Sequence, residues 1–548
     1  MKASDLFVKC LENEGVEYIF GLPGEENADM MISLKGSSIE FVLCRHEQAA
    51  AFMADVYGRL TGKAGVCLGT LGPGATNLVT GVADGNMDRA PMVVITGQAD
   101  TKRLHKESHQ NMDVVGMFKP ITKWAHQIVN QDNIPEVVRK AFKLAEREKP
   151  GACHIELPED LAAMDASTTP IPFDKLRRPA PDEKIIDQAM ELLMSAKHPV
   201  ILAGNGCVRK RAAKQLKILC EKTGIPVINT FMAKGCIPRT DPHCLYTVGL
   251  QQRDLIMAAI DEADGVGTGG DDLVEYHPNV WNKNKDKQIL HVDFLPAEVD
   301  EHYRVRVEIN ADIASALWHI NERIEGDAPK WDIGRYAELK SKMDDEFAMH
   351  KDDDTEGKIR PQKVLWDVRE AMRPHDILLS DVGAHKMWIA RNYQCDEPNT
   401  CLISNGFCSM GFALPGAIAA KMAHPESNVL AICGDAGVLM NIQDLETAKR
   451  LGVNIVIMVW EDHEYGLIKW KQQQHFDEHS DLEFTNPDWM KLAEAFGCIG
   501  IRVDNARDLR GALDEAFSAD GPVILSLPID YDENMKLSER LGKMNIKL

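Results

Sequence analysis

A chain of 548 residues with 44% hydrophobic and 27% charged residues has ordinary globular composition, with room for roughly three or four domains. Its net charge of −22 and pI near 5.3 weigh against nucleic acid or an anionic membrane as a main partner. No apolar stretch approaches the roughly 20 residues of a membrane span, and the N-terminus carries no signal-peptide core. Thirteen cysteines without a CxxC pair, several of them in apolar runs (Cys67, Cys433), read as reduced core residues of a cytoplasmic protein.

The first segment runs to about residue 165. An amphipathic N-terminal helix leads into a strand, and RHEQAAAFMADVYGRLTGKAGV (45–66) then places Glu47 at the start of a helix. Ala49, Ala50, Met53, Ala54 and Tyr57 form its packing face, and Glu47 alone reads as a first-turn carboxylate favoured by the helix dipole. The strand VCLGT (66–70), the turn LGPGATN (71–77), a helix and the strand PMVVITG (91–97) follow. Pro-rich sequence over 167–183 reads as a linker. The second segment, 184–325, opens a new strand–helix–strand unit with HPVILAGNGCVRKRAAKQLKILCEKTGIPVINT. Its GVGTGG (265–270) has the glycine spacing of a dinucleotide fingerprint, but Pro278 and scattered aromatics make DDLVEYHPNVWN a poor helix start. Those glycines are expected at a strand end and loop. A charged stretch, 340–361, is expected to be a surface connection to a third segment, 362–548. The fold class is therefore α/β, with three successive α/β domains and mostly parallel sheets.

In the third segment, Val429–Cys433 and Asn454–Trp460 are uncharged, strand-like runs. Leu439, Met440, Ile442, Leu445, Ala448 and Leu451 recur between them near a 3.6 period, the mark of an amphipathic helix. Asp435, in CGDAG, and Asp462 then both fall at the carboxyl edge of one parallel sheet, where open α/β sheets bind ligands. Two carboxylates beside a helix N-terminus suit a hard divalent cation carrying a diphosphate. The plainer alternative is a helix-capping aspartate and an unrelated loop aspartate.

Taken together, RHE-x-A-A-x-x-A, GPGATN and GDAG with Asp462 resemble the thiamine-diphosphate (ThDP) enzymes, in their acetolactate synthase-like branch. The resemblance extends over FGLPGEEN, ITGQ, DVGAHKMWIAR (381–391) and ISNGFCSMGFALPGAIAA (403–420). It implies a pyrimidine-binding domain over 1–165, a middle domain over 184–325 and a diphosphate-binding domain over 362–548. Asp435, Asp462 and the Glu464 carbonyl are implied Mg²⁺ ligands. Pro73, Asn77, Ala384, His385, Gly434, Ala436, Gly437 and Tyr465 are implied cofactor contacts. Glu47 would hydrogen-bond the pyrimidine ring, the Cys408 carbonyl would accept from its exocyclic amine, and Met410 would wedge between the two rings. A core methionine is the plainer reading of Met410. Ala436 stands where the family carries glycine, which costs about 1 kcal/mol if that position needs positive φ.

His109, Gln110 and Lys123 match positions lining the substrate approach. Gln110 and Lys123 join Glu47 as candidate catalytic residues, Lys123 as a holder of a 2-oxo acid carboxylate or else a plain surface lysine. Trp470 and Lys471 are also expected in the substrate region. DDLVEYHPNVWN followed by LHVDFLPAEVDEHY (290–303) resembles the FAD-independent, catabolic branch, so FAD is not expected. The resemblance implies joining of two pyruvate molecules to 2-acetolactate with loss of CO₂, in a homodimer or homotetramer with sites at the subunit interface. The alternatives are another ThDP-dependent 2-oxo acid decarboxylase or carboligase, a dinucleotide-dependent oxidoreductase using GVGTGG and AGNG, and a non-catalytic regulatory paralogue.

Overall fold

The computed structural model describes residues 1–173, 177–209, 211–249, 254–326 and 330–543. The first sheet contains β1 (Tyr18–Gly21), β2 (Glu40–Leu43), β3 (Gly65–Gly69), β4 (Met92–Gln98), β5 (Trp124–Gln127) and β6 (Ala152–Pro158), ordered β2-β1-β3-β4-β6-β5. The second contains β7 (Pro199–Ala203), β8 (Val227–Asn229), β9 (Cys244–Thr247), β10 (Gly265–Gly269), β11 (Gln288–Asp293) and β12 (Val305–Asn310), ordered β12-β11-β10-β7-β8-β9. The third contains β13 (Ile377–Ser380), β14 (Cys401–Ile403), β15 (Val429–Gly434), β16 (Val456–Glu461), β17 (Ile499–Arg502) and β18 (Val523–Pro528), ordered β14-β13-β15-β16-β18-β17. All of these strand pairs are parallel. Central strands such as β4 (MVVITGQ) and β16 (VIMVWE) are buried throughout, as sheets covered on both faces require.

The first and third domains share one core. Its spine is the helix Glu47–Thr61 packed on the helix Ala413–Ala423. Phe52 and Phe412 meet edge to face with ring centroids 5.7 Å apart. A Cβ on Gly416 would lie 2.9 Å from Val56 Cγ2, so glycine sets how closely these helices approach. Buried carboxylates fasten the same junction. Asp84 accepts from Ser404 Oγ at 2.6 Å, and Asp88 accepts from the backbone N–H groups of Asn405 and Gly406.

Three expectations are corrected. GVGTGG is not a strand end and loop: Gly265–Gly269 is a complete strand, β10, paired with β7 and β11. Its missing side chains leave a void of about 50 Å³ beside Ile201, Leu216 and Leu290. The stretch 340–361 is not wholly a connection, because the helix Ala337–Ala348 buries Leu339 and Met343 in the second core. The helix expected over 439–451 is broken into a 3₁₀ turn (Ile442–Asp444) and a helix (Leu445–Leu451). Buried side chains hold the break open, with Asn441 donating to the Gly411 carbonyl and Asp444 accepting from Thr447 and from the Arg45 N–H.

Candidate active site

Asp435 and Asp462 fall where their spacing implies. β15 and β16 are parallel neighbours, and Asp435 and Asp462 follow their last residues at the carboxyl edge. Asp435 Oδ2 accepts from the backbone N–H groups of Asp462 (3.1 Å) and His463 (2.8 Å) and from Asn486 Nδ2 (2.7 Å). The two carboxylates repel. Burial first, then the charge of Asp435, pushes the Asp462 carboxyl up to about 8. A divalent cation between them would relieve both causes. The Glu464 side chain is turned away to Lys469, 2.7 Å from its Nζ, and its backbone oxygen accepts from the Gly466 N–H at 3.0 Å. Among the described residues no three His, Cys, Asp or Glu side chains form a metal cage. The donor set of two carboxylates and a carbonyl instead fits a hard ion that keeps water and phosphate oxygens in its shell.

A cavity of about 240 Å³ adjoins these groups. Ala384, His385, Cys408, Met410, Gly434, Asp435, Ala436, Gly437, Asp462, Glu464 and Tyr465, all of them sequence candidates, line it. Burial lowers the His385 imidazole to about 3, so its ring is neutral, and its Nε2 is buried without a hydrogen-bond partner among the described residues. That orphaned nitrogen fits an oxygen-rich ligand. Ala436 sits within the helical turn Asp435–Val438 and is not at positive φ, so its Cβ brings no backbone strain. Met410 is fixed from below, because Asp381 accepts from the Gly411 and Phe412 N–H groups. A Cβ on Gly437 would lie 2.7 Å from Asp381 Oδ2 and 3.8 Å from Met410 Cε.

A second group assembles on the first sheet. Glu47 opens the helix after β2, buried, and its Oε2 accepts from Asn77 Nδ2 at 3.0 Å. Gly72 lies at φ +51°, just before Pro73 at the first turn of the helix Pro73–Met87. Gln110 packs on that turn, its Cβ 2.9 Å from the position a Gly72 Cβ would take. Glu47, Pro73, Asn77 and Gln110 are thus brought together. His109 is exposed beside Gln110. None of these residues lines the Asp435 cavity.

Lys123 is elsewhere. It precedes β5 at the amino edge of the first sheet, opposite the edge that carries Glu47. Its ammonium donates to the carbonyls of Leu144, Arg147 (3.0 Å) and Lys149 (2.7 Å). Burial lowers its pKa to about 8. Holding a substrate carboxylate beside Glu47 is incompatible with that placement. Trp470 is likewise a core residue, buried with its Nε1 on Ser538 Oγ at 2.9 Å, while Leu467 and Ile468 line the cavity. Asn486 was not singled out from the sequence. It reaches Asp435 from 51 residues away, and no spacing rule links TNPDW to GDAG.

The crevice of the second sheet where a dinucleotide would lie is closed. The sheet's strand order matches dinucleotide-binding folds, whose ligands lie where the order reverses, here between β7 and β10. There the loops pack backbone to backbone. A Cβ on Gly204 would lie 2.4 Å from Asp271 Cα, and one on Gly206 would lie 2.6 Å from Gly270 Cα. The Gly204 and Gly206 N–H groups, which would face a pyrophosphate, donate to Gly269 and Gly270 carbonyls.

The Asp435–Asp462 pair thus stands at the carboxyl edge of the third sheet and the hydrogen-bonded Glu47 at that of the first. The sequence models of thiamine pyrophosphate enzymes match all three domains: the N-terminal TPP binding domain over 1–117, the central domain over 186–320 and the C-terminal TPP binding domain over 381–527. The chain belongs to the thiamine pyrophosphate enzyme family, among relatives that are acetolactate synthases. It is 35% identical to the acetolactate synthase of Bacillus subtilis (strain 168), the match covering 99% of this chain and 96% of that protein. The catabolic acetolactate synthase of Raoultella terrigena is 33% identical over 98% of this chain and 97% of its own length. The acetolactate synthase large subunit of Haemophilus influenzae is 32% identical over 100% of this chain and 96% of its own length. Among the described residues no helix is long and apolar enough to cross a membrane.

Proposed function

We propose that the protein is an acetolactate synthase that joins two pyruvate molecules with loss of CO₂, using thiamine diphosphate and Mg²⁺. The observation that carries this reading is the Asp435–Asp462 pair at the cavity edge, where mutual repulsion and the raised Asp462 carboxyl call for a cation. When bound, thiamine diphosphate supplies the carbon nucleophile that takes up a 2-oxo acid, stabilises the charge left by decarboxylation and hands on the two-carbon unit.

The chain's residues then have distinct tasks. Asp435, Asp462 and the Glu464 carbonyl hold the cation, and His385 Nε2 offers the diphosphate a hydrogen-bonding nitrogen. Met410 supplies an apolar surface and the Cys408 carbonyl an acceptor at the same cavity. Glu47, oriented by Asn77, holds or releases a proton at the pyrimidine end, and Gln110 stands at that group's open side. Because the Glu47 group does not line the Asp435 cavity, the working site takes its pyrimidine half from a second copy, in a homodimer or a homotetramer. The closed crevice of the second sheet supports a reaction that needs no flavin.

Purified protein incubated with ThDP, Mg²⁺ and pyruvate should release CO₂ and yield 2-acetolactate, identified by mass. Acetaldehyde as the sole product would replace this reading with a simple decarboxylase.

A further inference from the structure

Twelve of the thirteen cysteines are free thiols that are buried or half-buried, and Cys408 is exposed. It belongs to the lining of the cavity beside Met410, Ala384 and Asp435. Its backbone lies at φ +57°, a left-handed conformation that costs a residue with a Cβ about 1 kcal/mol and tends to persist where function requires it. Lys386, more than nine-tenths buried, directs its ammonium at that sulfur, with Nζ 3.1 Å from Sγ. Among the described residues this sulfur is its one hydrogen-bonding partner, the other near group being the Phe231 ring at 5.9 Å. A buried ammonium with donors to spare, set against an accessible thiol, is the setting in which sulfur becomes a selective nucleophile. The thiol also donates to the Asn405 carbonyl at 2.9 Å, which aims Sγ.

We propose that Cys408 is a redox modification site, oxidised by hydroperoxides with Lys386 as its positioning residue, and shielded when the cofactor fills the cavity. Sulfur attacks the near oxygen of the hydroperoxide, forming an S–O bond as the O–O bond breaks. Cysteine is oxidised to the sulfenic acid and the peroxide is reduced. The leaving hydroxide takes a proton from the Lys386 ammonium, and the thiol proton restores that ammonium, so hydrogen peroxide yields one water. The added oxygen then occupies cofactor space, and oxidation competes with loading. The shielding rests on the reading of this cavity as the ThDP site.

The test uses the full chain with and without saturating ThDP and Mg²⁺, exposed to hydrogen peroxide. Sulfenic acid is trapped with a 1,3-dione and mapped by peptide mass spectrometry, and ThDP binding is followed in parallel by calorimetry. Cys408 should be trapped at least about tenfold faster than the half-buried Cys498, whose thiol burial pushes up, and bound ThDP should slow Cys408 by about the same factor. Lys386→Met should slow the apoprotein reaction several-fold and Lys386→Arg should restore it. Equal trapping of Cys408 and Cys498, or a Lys386→Met rate equal to that of the unaltered chain, overturns the proposal. If calorimetry shows ThDP bound and Cys408 is as fast as before, the shielding is wrong. If ThDP fails to bind while fast, Lys386-dependent trapping remains, the cofactor reading fails and the modification site stands.

Discussion

The first and third sheets have the same strand order and face the same problem differently. Each buries acid at its carboxyl edge. On the first, Glu47 accepts from Asn77 Nδ2, and Glu26, beyond the neighbouring strand β1, accepts from Thr70 Oγ1, so each carboxylate has a neutral donor of its own. On the third, Asp435 and Asp462 stand against each other, and burial first, then the charge of Asp435, pushes the Asp462 carboxyl up to about 8. One topology thus gives neighbouring carboxylates separate neutral donors on the first edge and sets two carboxylates against each other on the third. The second sheet, with the dinucleotide strand order, has spent its corresponding edge on glycine-to-glycine packing. Strand order alone did not decide which sheet binds the ligand.

Removing the cation-holding edge should have the largest effect. Asp435→Ala leaves the sheet intact but strands Asp462 and the Asn486 donor, so Mg²⁺-dependent ThDP binding should become undetectable by calorimetry. Binding within tenfold of the unaltered protein would remove the site from this edge. On the other side, Glu47→Gln keeps shape and loses the ionisable group, so turnover should fall by roughly 10²–10⁴ while ThDP affinity changes much less. Mixing these two inactive variants under subunit exchange sharpens the contrast. A hybrid pair carries one intact combination of edges, and part of the activity should return. Exchange proven by mass spectrometry with no recovery would mean that both edges serve the same chain's site.

A smaller effect concerns the seam between the two domains. Burial pushes Asp55, beside Asp84 and Asp88, from 3.8 to about 7. The folded chain therefore keeps a proton that the unfolded chain releases, and stability from this group is full below pH about 4 and is lost as pH rises towards 7. Asp55→Asn cannot ionise, so its Tm should decline less between pH 5 and 7 than that of the unaltered chain. Parallel Tm curves for the two proteins would assign the pH dependence to other groups.

Much of this was legible in residues. Asp435 and Asp462 follow uncharged β-branched runs whose spacing fixes a parallel pair, and that geometry alone gives them a common edge. Glu47 was legible only as a helix-start acid, and its role came with the surrounding motif. What stayed hidden depended on tertiary contact. Asn486 reaches Asp435 across 51 residues, Lys123 lies at the wrong sheet edge although its neighbours match the family pattern, and the break at Asn441–Asp444 is held by Gly411 and Arg45. The sequence conceals β10 because three glycines in five residues lower strand propensity, and only pairing with β7 and β11 overrides it.

That strand supplies the smallest test. Along β10 the glycines are not equivalent, although all alternate within one paired strand. A Cβ on Gly269 would lie 2.9 Å from Cys207 Sγ, and one on Gly265 would lie 3.1 Å from the Ala196 Cβ, so each must displace a packed neighbour. A Cβ on Gly267 meets only Ile201 Cγ1, at 3.7 Å, and points to the void of about 50 Å³. Gly267 is not at positive φ, so alanine fits its backbone, fills space and restricts the unfolded chain. Gly267→Ala should raise stability by about 0.4–1 kcal/mol, while Gly269→Ala should lower it, both measured by chemical denaturation with ThDP absent. Because none of the candidate site residues lies on the second sheet, turnover should stay within twofold for Gly267→Ala. A stabilised protein with sharply reduced turnover would show that the void lets this sheet move during catalysis, and the separation between a packing sheet and two working edges would have to be redrawn.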